Sequence, residues 1–251
     1  MTLRLLTLFA ISYLYLSNVF AQVPAIAVAA NMKDAFAEIV MAFKVPNKAE
    51  IKVVYGSSGN FTAQIMNGAP FSLLIAADEQ FPLKLYKNGK TVDEGAIYAI
   101  GKLAMITKIS SGIQLRESRA DIAQAIGKAN KIAIAKPELA PYGRAAVQYL
   151  KAEGLWDLAK NKLVYADNIG LATTYVVTGA ADLGLTALSL AKSPEVAKET
   201  SFLLIHPSSY EPIKQRMVVI KGAPPEALDL YRFMQGSQAK AILQKYGYIT
   251  P

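Results

Sequence analysis

Four short segments of this chain combine small residues, amides and hydroxyls in a way that suits the holding of an anion by hydrogen bonds. They are Ala30-Asn31-Met32, Gly56-Ser57-Ser58-Gly59, Pro141-Tyr142-Gly143 and Asn168-Ile169-Gly170. Each stands where a β-rich run gives way to a helical pattern. The first turn of a helix exposes N–H groups without intrahelical acceptors, and the aligned peptide dipoles put partial positive charge there. Such an end attracts an anion without any cationic side chain. Asn31, Ser58 and Asn168 are also good N-cap residues, and capping alone accounts for any single junction. The argument for a ligand rests on several junctions together, at the C-terminal edges of strands, where open α/β sheets bind ligands.

Other chemistries lack their residues. The chain has no Cys and a single histidine, His206, followed by Pro207 in a connecting segment. General acid–base catalysis and metal ligation recruit clusters of His, Cys or carboxylates. No Gly-x-Ser-x-Gly elbow, His-Glu-x-x-His pair or Gly-rich phosphate loop occurs. The expectation is therefore a binding protein, not an enzyme, with no cofactor and no directly ligated metal. The net charge of +8 comes from 27 Lys and Arg against 19 Asp and Glu. These are scattered, with no basic run and no interleaved aromatic stripe, so a nucleic-acid groove is not supported and a solvated basic surface is.

The elements that must position the four junctions follow from periodicity. Ala25–Ala30 reads as a buried strand. Ala35, Phe36, Ile39, Val40 and Phe43 form one face of a helix over about 32–43. Strand 51–54 leads to a helix ending near Met66, and strand 73–76 to a helix over 80–86. Three β-then-α units in succession argue for a helix-covered, mostly parallel sheet. The pattern restarts with strands at 103–107 and 131–135, a helix from Pro141 to about Glu153, strand 162–165, a helix over 170–178 and strand 182–186. A strand at 216–221 and one or two helices over 225–245 close the chain. The fold class expected is α/β in two lobes, each a mostly parallel sheet flanked by helices, with ligand in the cleft between them. The boundaries are 22–100 plus 212–251 for a discontinuous first lobe and 101–211 for the second.

The N-terminal stretch has a different character. Met1–Ala21 carries Arg4, an apolar run from Leu5 to Leu16 and the sequence Val19-Phe20-Ala21, the pattern of a signal peptide cleaved after Ala21. The apolar run is short for a bilayer span, which leaves a membrane anchor as the weaker alternative. Without Cys there are no disulfides and no lipid-bearing N-terminal cysteine, so an exported, unanchored periplasmic protein is expected.

Several ordered motifs resemble those of the periplasmic molybdate-binding family. They are Ala29-Ala30-Asn31-Met32-Lys33-Asp34-Ala35, Tyr55-Gly56-Ser57-Ser58-Gly59, Asn67-Gly68-Ala69-Pro70, Ala76-Ala77-Asp78 and Pro137-Glu138-Leu139-Ala140-Pro141-Tyr142-Gly143, with Phe233–Ala239 and Tyr246-Gly247-Tyr248 near the end. The resemblance implies the type II periplasmic-binding-protein fold and capture of molybdate, with tungstate accepted, for delivery to the membrane permease of an ABC importer by a monomer. It implies that Asn31 and Ser58 give side-chain and backbone donors from the first lobe, that Tyr142 and Ile169 give backbone N–H groups from the second, and that Ala30 adds a contact beside Asn31. A doubly charged tetrahedral oxyanion is all acceptor, so a donor-only site suits it.

The chain departs from the family pattern in three places. Ser72 stands where an acid is usual, Lys136 where Asp or Asn is usual, and Ala187 where some relatives carry a Tyr hydroxyl. Lys136 is either a changed surface turn or an added cation near the site, and Tyr142 or water is expected to supply what Ala187 lacks. Another oxyanion, sulfate or phosphate, is the alternative ligand, with Asp167 the nearby acceptor for a phosphate proton. A ferric site on Tyr246 and Tyr248 is a third reading.

Overall fold

The computed structural model describes residues 23–47 and 50–251, so the expected signal peptide lies outside the described residues. Ten strands form among them: β1 Ala25–Ala29, β2 Lys52–Gly56, β3 Phe71–Ile75, β4 Ala96–Gly101, β5 Leu103–Lys108, β6 Ile132–Ala135, β7 Leu163–Ala166, β8 Leu183–Ala187, β9 Thr200–Leu204 and β10 Ile213–Val219. They make two five-stranded sheets, ordered β2-β1-β3-β10-β4 and β7-β6-β8-β5-β9. In each sheet four strands run the same way and the fourth in order, β10 or β5, runs against them. The reversed strand is in each case the first one reached after the chain crosses between sheets. The crossings are the single residue Lys102, between β4 and β5, and residues 205–212, between β9 and β10.

The apolar runs explain the layers. Side chains alternate across a strand, so a strand covered on both faces must be apolar throughout. In β1, Ile26 and Val28 join the core beneath the helices Lys33–Asn47, Pro225–Phe233 and Ser237–Lys245, with Phe36, Ile39, Leu230 and Leu243. Ala27, between them, faces the opposite layer with Phe61, Ile65, Leu74 and Leu85. The second sheet has one core of its own, and Ala29, Ala30 and Ala77 from the edge of the first sheet pack into it. The two lobes are therefore in van der Waals contact along the cleft.

The structure adds elements that periodicity alone does not predict. Helix Arg119–Lys128 buries only Ile122, Ala125 and Ile126, a stripe too narrow to stand out. Strand β9 is an edge strand with Ser201, Phe202 and Leu204 exposed, so it lacks the alternation that signals a half-buried strand. Strand β4 occupies the region expected to be the start of a crossover, and its neighbour across the sheet is β10, more than 110 residues later in sequence.

Candidate anion-binding site

The segments after β1, β2 and β3 in the first lobe face those after β6 and β7 in the second. They line a small cavity of about 10 Å³, bounded by Ala29, Ala30, Asn31, Gly56, Ser57, Ser58, Ala77, Ala140, Pro141, Tyr142 and Ile169. All five expected site residues, Ala30, Asn31, Ser58, Tyr142 and Ile169, are brought together on it, and every lining residue is neutral. Asn31, Ser58, Tyr142 and Ile169 are at most 4% exposed, so their polar groups must find partners inside the closed cleft.

Each junction supplies its donors through local helix geometry. Ser57, not Ser58, is the N-cap of helix Ser58–Met66, its hydroxyl accepting from Asn60 N–H at 3.3 Å. That shifts Ser58 to the first helical position, where its backbone N–H is unpaired by the helix. The Ser58 hydroxyl accepts from Ala77 N–H at 2.9 Å, which fixes its oxygen and leaves its own proton to give. Helix Pro141–Ala152 begins with Pro at its first position and no side-chain cap, so the Tyr142 N–H beside it also has no acceptor from the helix. Asn168 caps helix Ile169–Val177 by accepting from Leu171 N–H at 2.9 Å, leaving Ile169 N–H over. Asn31 lies inside a 3-10 turn, Ala30–Met32, whose cap also has no side-chain bond, so Asn31 is not the N-cap it resembles. Among the described residues, no backbone hydrogen bond outside the helices and strands uses the N–H of Asn31, Ser58, Tyr142 or Ile169, and each stands in the first turn of its helix, where the helix offers no acceptor. A buried N–H without an acceptor is unusual, and four of them converging on one cavity call for an acceptor from outside the chain.

The side chain of Asn31 behaves differently from expectation. Its Nδ2 donates to Gln215 Oε1 at 3.0 Å and to Tyr248 OH at 2.8 Å, so both amide hydrogens are spent inside the protein. Tyr248 and Ser189 in turn hydrogen-bond the Asn31 carbonyl, at 2.9 and 2.8 Å. Sequence reasoning missed Gln215, Tyr98, Tyr248 and Ser189, which hold Asn31 from behind. One signal was available. Gln215 shares the inward face of β10 with Ile213 and Met217, a polar residue at a core position. Burial holds the phenols of Tyr98, Tyr142 and Tyr248 above their usual range, so they stay neutral donors at working pH.

The charged residues near the cleft are paired with one another. Lys136 bonds Asp167 at 2.7 Å on the surface, with neither on the cavity, which makes Lys136 a changed surface turn and not an added cation. Arg144 reaches across the cleft to Asp78 and lies over the Phe81 ring, 5.4 Å from its centroid. Burial pushes the Asp78 carboxyl up, against the pull of Arg144. Ala187 is wholly buried at the end of β8 and off the cavity, and the Tyr142 hydroxyl accepts from Gln215 Nε2 at 3.1 Å. Tyr246 and Tyr248 do not converge on a metal. The Tyr246 hydroxyl bonds Glu38 at 3.1 Å, whereas that of Tyr248 is buried beside Asn31.

Known proteins are similar to this chain in sequence and fold. The chain is 36% identical to the molybdate-binding protein ModA of Azotobacter vinelandii over 89% of its own length and 88% of that protein's. It is 33% identical to the molybdate-binding protein ModA of Rhodobacter capsulatus, covering 89% and 87%. The solved periplasmic molybdate-binding protein of Azotobacter vinelandii superposes with a TM-score of 0.82 at 31% identity, over 91% of this chain and 99% of that one. A sulfate-binding protein of Mycobacterium tuberculosis shares the fold at 14% identity and a TM-score of 0.75, over 91% of this chain and 86% of that one. The family described as bacterial extracellular solute-binding protein matches residues 25–249. The two lobes, the neutral donor-lined cleft and these matches agree, and the chain belongs to the bacterial extracellular solute-binding protein family, whose members bind solutes and are not enzymes.

Proposed function

We propose that this protein captures molybdate in the periplasm, accepts tungstate as well, and delivers the anion as a monomer to the permease of an ABC importer. Ala30, Asn31, Ser58, Tyr142 and Ile169 form the site, and the lobes 22–100 with 212–251 and 101–211 close on it about Lys102 and residues 205–212. The observation that carries this reading is the set of four unpaired, buried N–H groups and one free hydroxyl proton on a cavity with no charged lining. Such a site offers donors only. It suits an oxyanion without protons, and hydrogen bonds to an ionised acceptor are shorter and stronger than neutral ones.

Phosphate is disfavoured because its proton would need an acceptor, and the carboxylate of Asp167 is bound to Lys136 away from the cavity. Sulfate is all acceptor but smaller. A rigid ring of backbone donors fits one span between oxygens, and each donor left short of sulfate costs about 1–3 kcal/mol. The test is a thermal shift with each of the four anions. A ligand that binds only the folded state raises stability by about 2.7 kcal/mol at one hundred times its Kd. Molybdate and tungstate are expected to raise the melting temperature alike at micromolar concentration, with sulfate and phosphate far behind. No shift with molybdate at saturation, together with a shift from sulfate or phosphate, would remove the assignment.

A further inference from the structure

Directly behind the cavity, Gln215 on β10 is 0% exposed and joins the two lobes. Its Oε1 lies 3.0 Å from Asn31 Nδ2 and 2.8 Å from Tyr98 OH, and its Nε2 lies 3.1 Å from Tyr142 OH in the second lobe. The space is specific. A Cβ at Gly101, next to the Lys102 crossing, would overlap both the Tyr142 hydroxyl and the Gln215 amide.

The protons of this cluster do not balance in the pairing just described. With Asn31 donating to Gln215, and Gln215 to Tyr142, Asn31 Oδ1 has no partner although it is buried. The Tyr142 hydroxyl accepts a bond but has no acceptor for its own proton, and one hydrogen of Gln215 Nε2 is left over. A half-turn of both amides exchanges nitrogen and oxygen without changing shape. Gln215 Nε2 then donates to Asn31 Oδ1 and to the Tyr98 oxygen, whose own proton goes to the Ala76 carbonyl at 2.9 Å. Tyr142 donates to Gln215 Oε1, Tyr248 turns its one proton from the Asn31 carbonyl to Asn31 Oδ1, and Ser189 alone still donates to that carbonyl. Every buried proton of Gln215, Tyr98, Tyr142, Tyr248 and Ser189 then has an acceptor within the cluster. The single group left over is Asn31 Nδ2, turned to where Oδ1 stood, on a residue that lines the cavity. An unpaired carbonyl there would repel an anion; an unpaired NH₂ would bind it.

We propose, resting on the anion-capture reading, that Gln215 is the positioning residue of the site. By donating to Asn31 and accepting from Tyr142, it aims the Asn31 amide at the bound oxyanion and ties that orientation to closure of the second lobe. Neutron diffraction from deuterated crystals of the full protein grown with molybdate locates the deuterons directly. The expected result is a Gln215 Nε2 deuteron on Asn31 Oδ1 and the Tyr142 deuteron on Gln215 Oε1; Asn31 deuterons on Gln215 Oε1 overturn the proposal.

In solution, Gln215→Met is expected to weaken molybdate binding by about tenfold or more, and Tyr142→Phe by about fivefold. Because the Tyr142 hydroxyl acts through Gln215, adding Tyr142→Phe to Gln215→Met should change affinity less than about twofold. A spacer role for Gln215 predicts additive losses, and additive losses, or wild-type affinity in Gln215→Met, refute the positioning role. Wild-type protein in the same titrations reports the anion reading separately. If it binds molybdate and the variants match it, only this proposal fails; if it binds no oxyanion, both do.

Discussion

Alanine at both Ser58 and Asn31 is expected to weaken molybdate binding by about 10²–10⁴-fold while the protein still folds. The estimate comes from two charge-assisted hydrogen bonds at about 1.5–3 kcal/mol each, with 1.4 kcal/mol per factor of ten. Ser58 loses the one hydroxyl whose oxygen is fixed by Ala77 N–H and whose proton is free. Asn31 loses the amide that Gln215 and Tyr248 hold in place. The backbone N–H groups of both positions remain, so binding is weakened and not erased. Stability falls too, because the Gln215 and Tyr248 partners of Asn31 become unpaired in a buried place, at about 1–3 kcal/mol. That is within the margin of an ordinary domain. Calorimetric titration with molybdate gives the affinity, and circular dichroism melting shows that folding is retained. Affinity within threefold of wild type in a folded double variant would mean that the anion is held elsewhere.

Gly59→Ala should separate closure from stability, with the two moving in opposite directions. Gly59 is the second residue of helix Ser58–Met66, and its N–H donates across the cleft to the Leu139 carbonyl at 2.9 Å. A Cβ at Gly59 would stand 2.9 Å from both the Cα and the carbonyl oxygen of Leu139, which are backbone atoms of the other lobe. It would also stand 2.9 Å from the tip of the Phe81 ring, a side chain of its own lobe that can turn aside. The backbone clash is relieved only by parting the lobes. In the free protein the helix gains from Ala in place of Gly by about 0.8–1 kcal/mol. In the closed complex the overpacking costs about 1–3 kcal/mol, or roughly five- to hundredfold in affinity. The melting temperature without ligand is therefore expected to rise slightly while the Kd for molybdate increases. A variant that binds as tightly as wild type would show that the Ser58 and Leu139 segments need not meet when the anion is held.

Much of this was legible in the chain itself because it is written in local terms. The buried strand Ala25–Ala29 is an apolar run, the helix after it carries a 3.6-residue stripe, and the four polar junctions fall where one pattern changes to the other. Resemblance in the order of those junctions points to Ala30, Asn31, Ser58, Tyr142 and Ile169, and these five line one cavity. Capping was less legible. A Ser-Ser pair gives two candidates for one N-cap, and only the backbone angles choose Ser57 and leave Ser58 for the cavity.

Tertiary structure decided what depends on contacts between distant residues. Strand β4 pairs with β10, and β9 with β5, and neither edge carries enough alternation of its own to announce the pairing. In the sequence Lys136 is either a changed surface turn or an added cation, and Asp167, 31 residues away, pairs with it outside the cleft. The support behind Asn31 comes from positions 98, 189, 215 and 248, and only the fold brings them together. A hydrogen bond acts over about 3 Å and carries no periodicity, so it leaves no mark on the spacing of residues. The sequence determined that this chain presents donors at strand ends; the closed cleft decided which of those donors remain free to meet an anion.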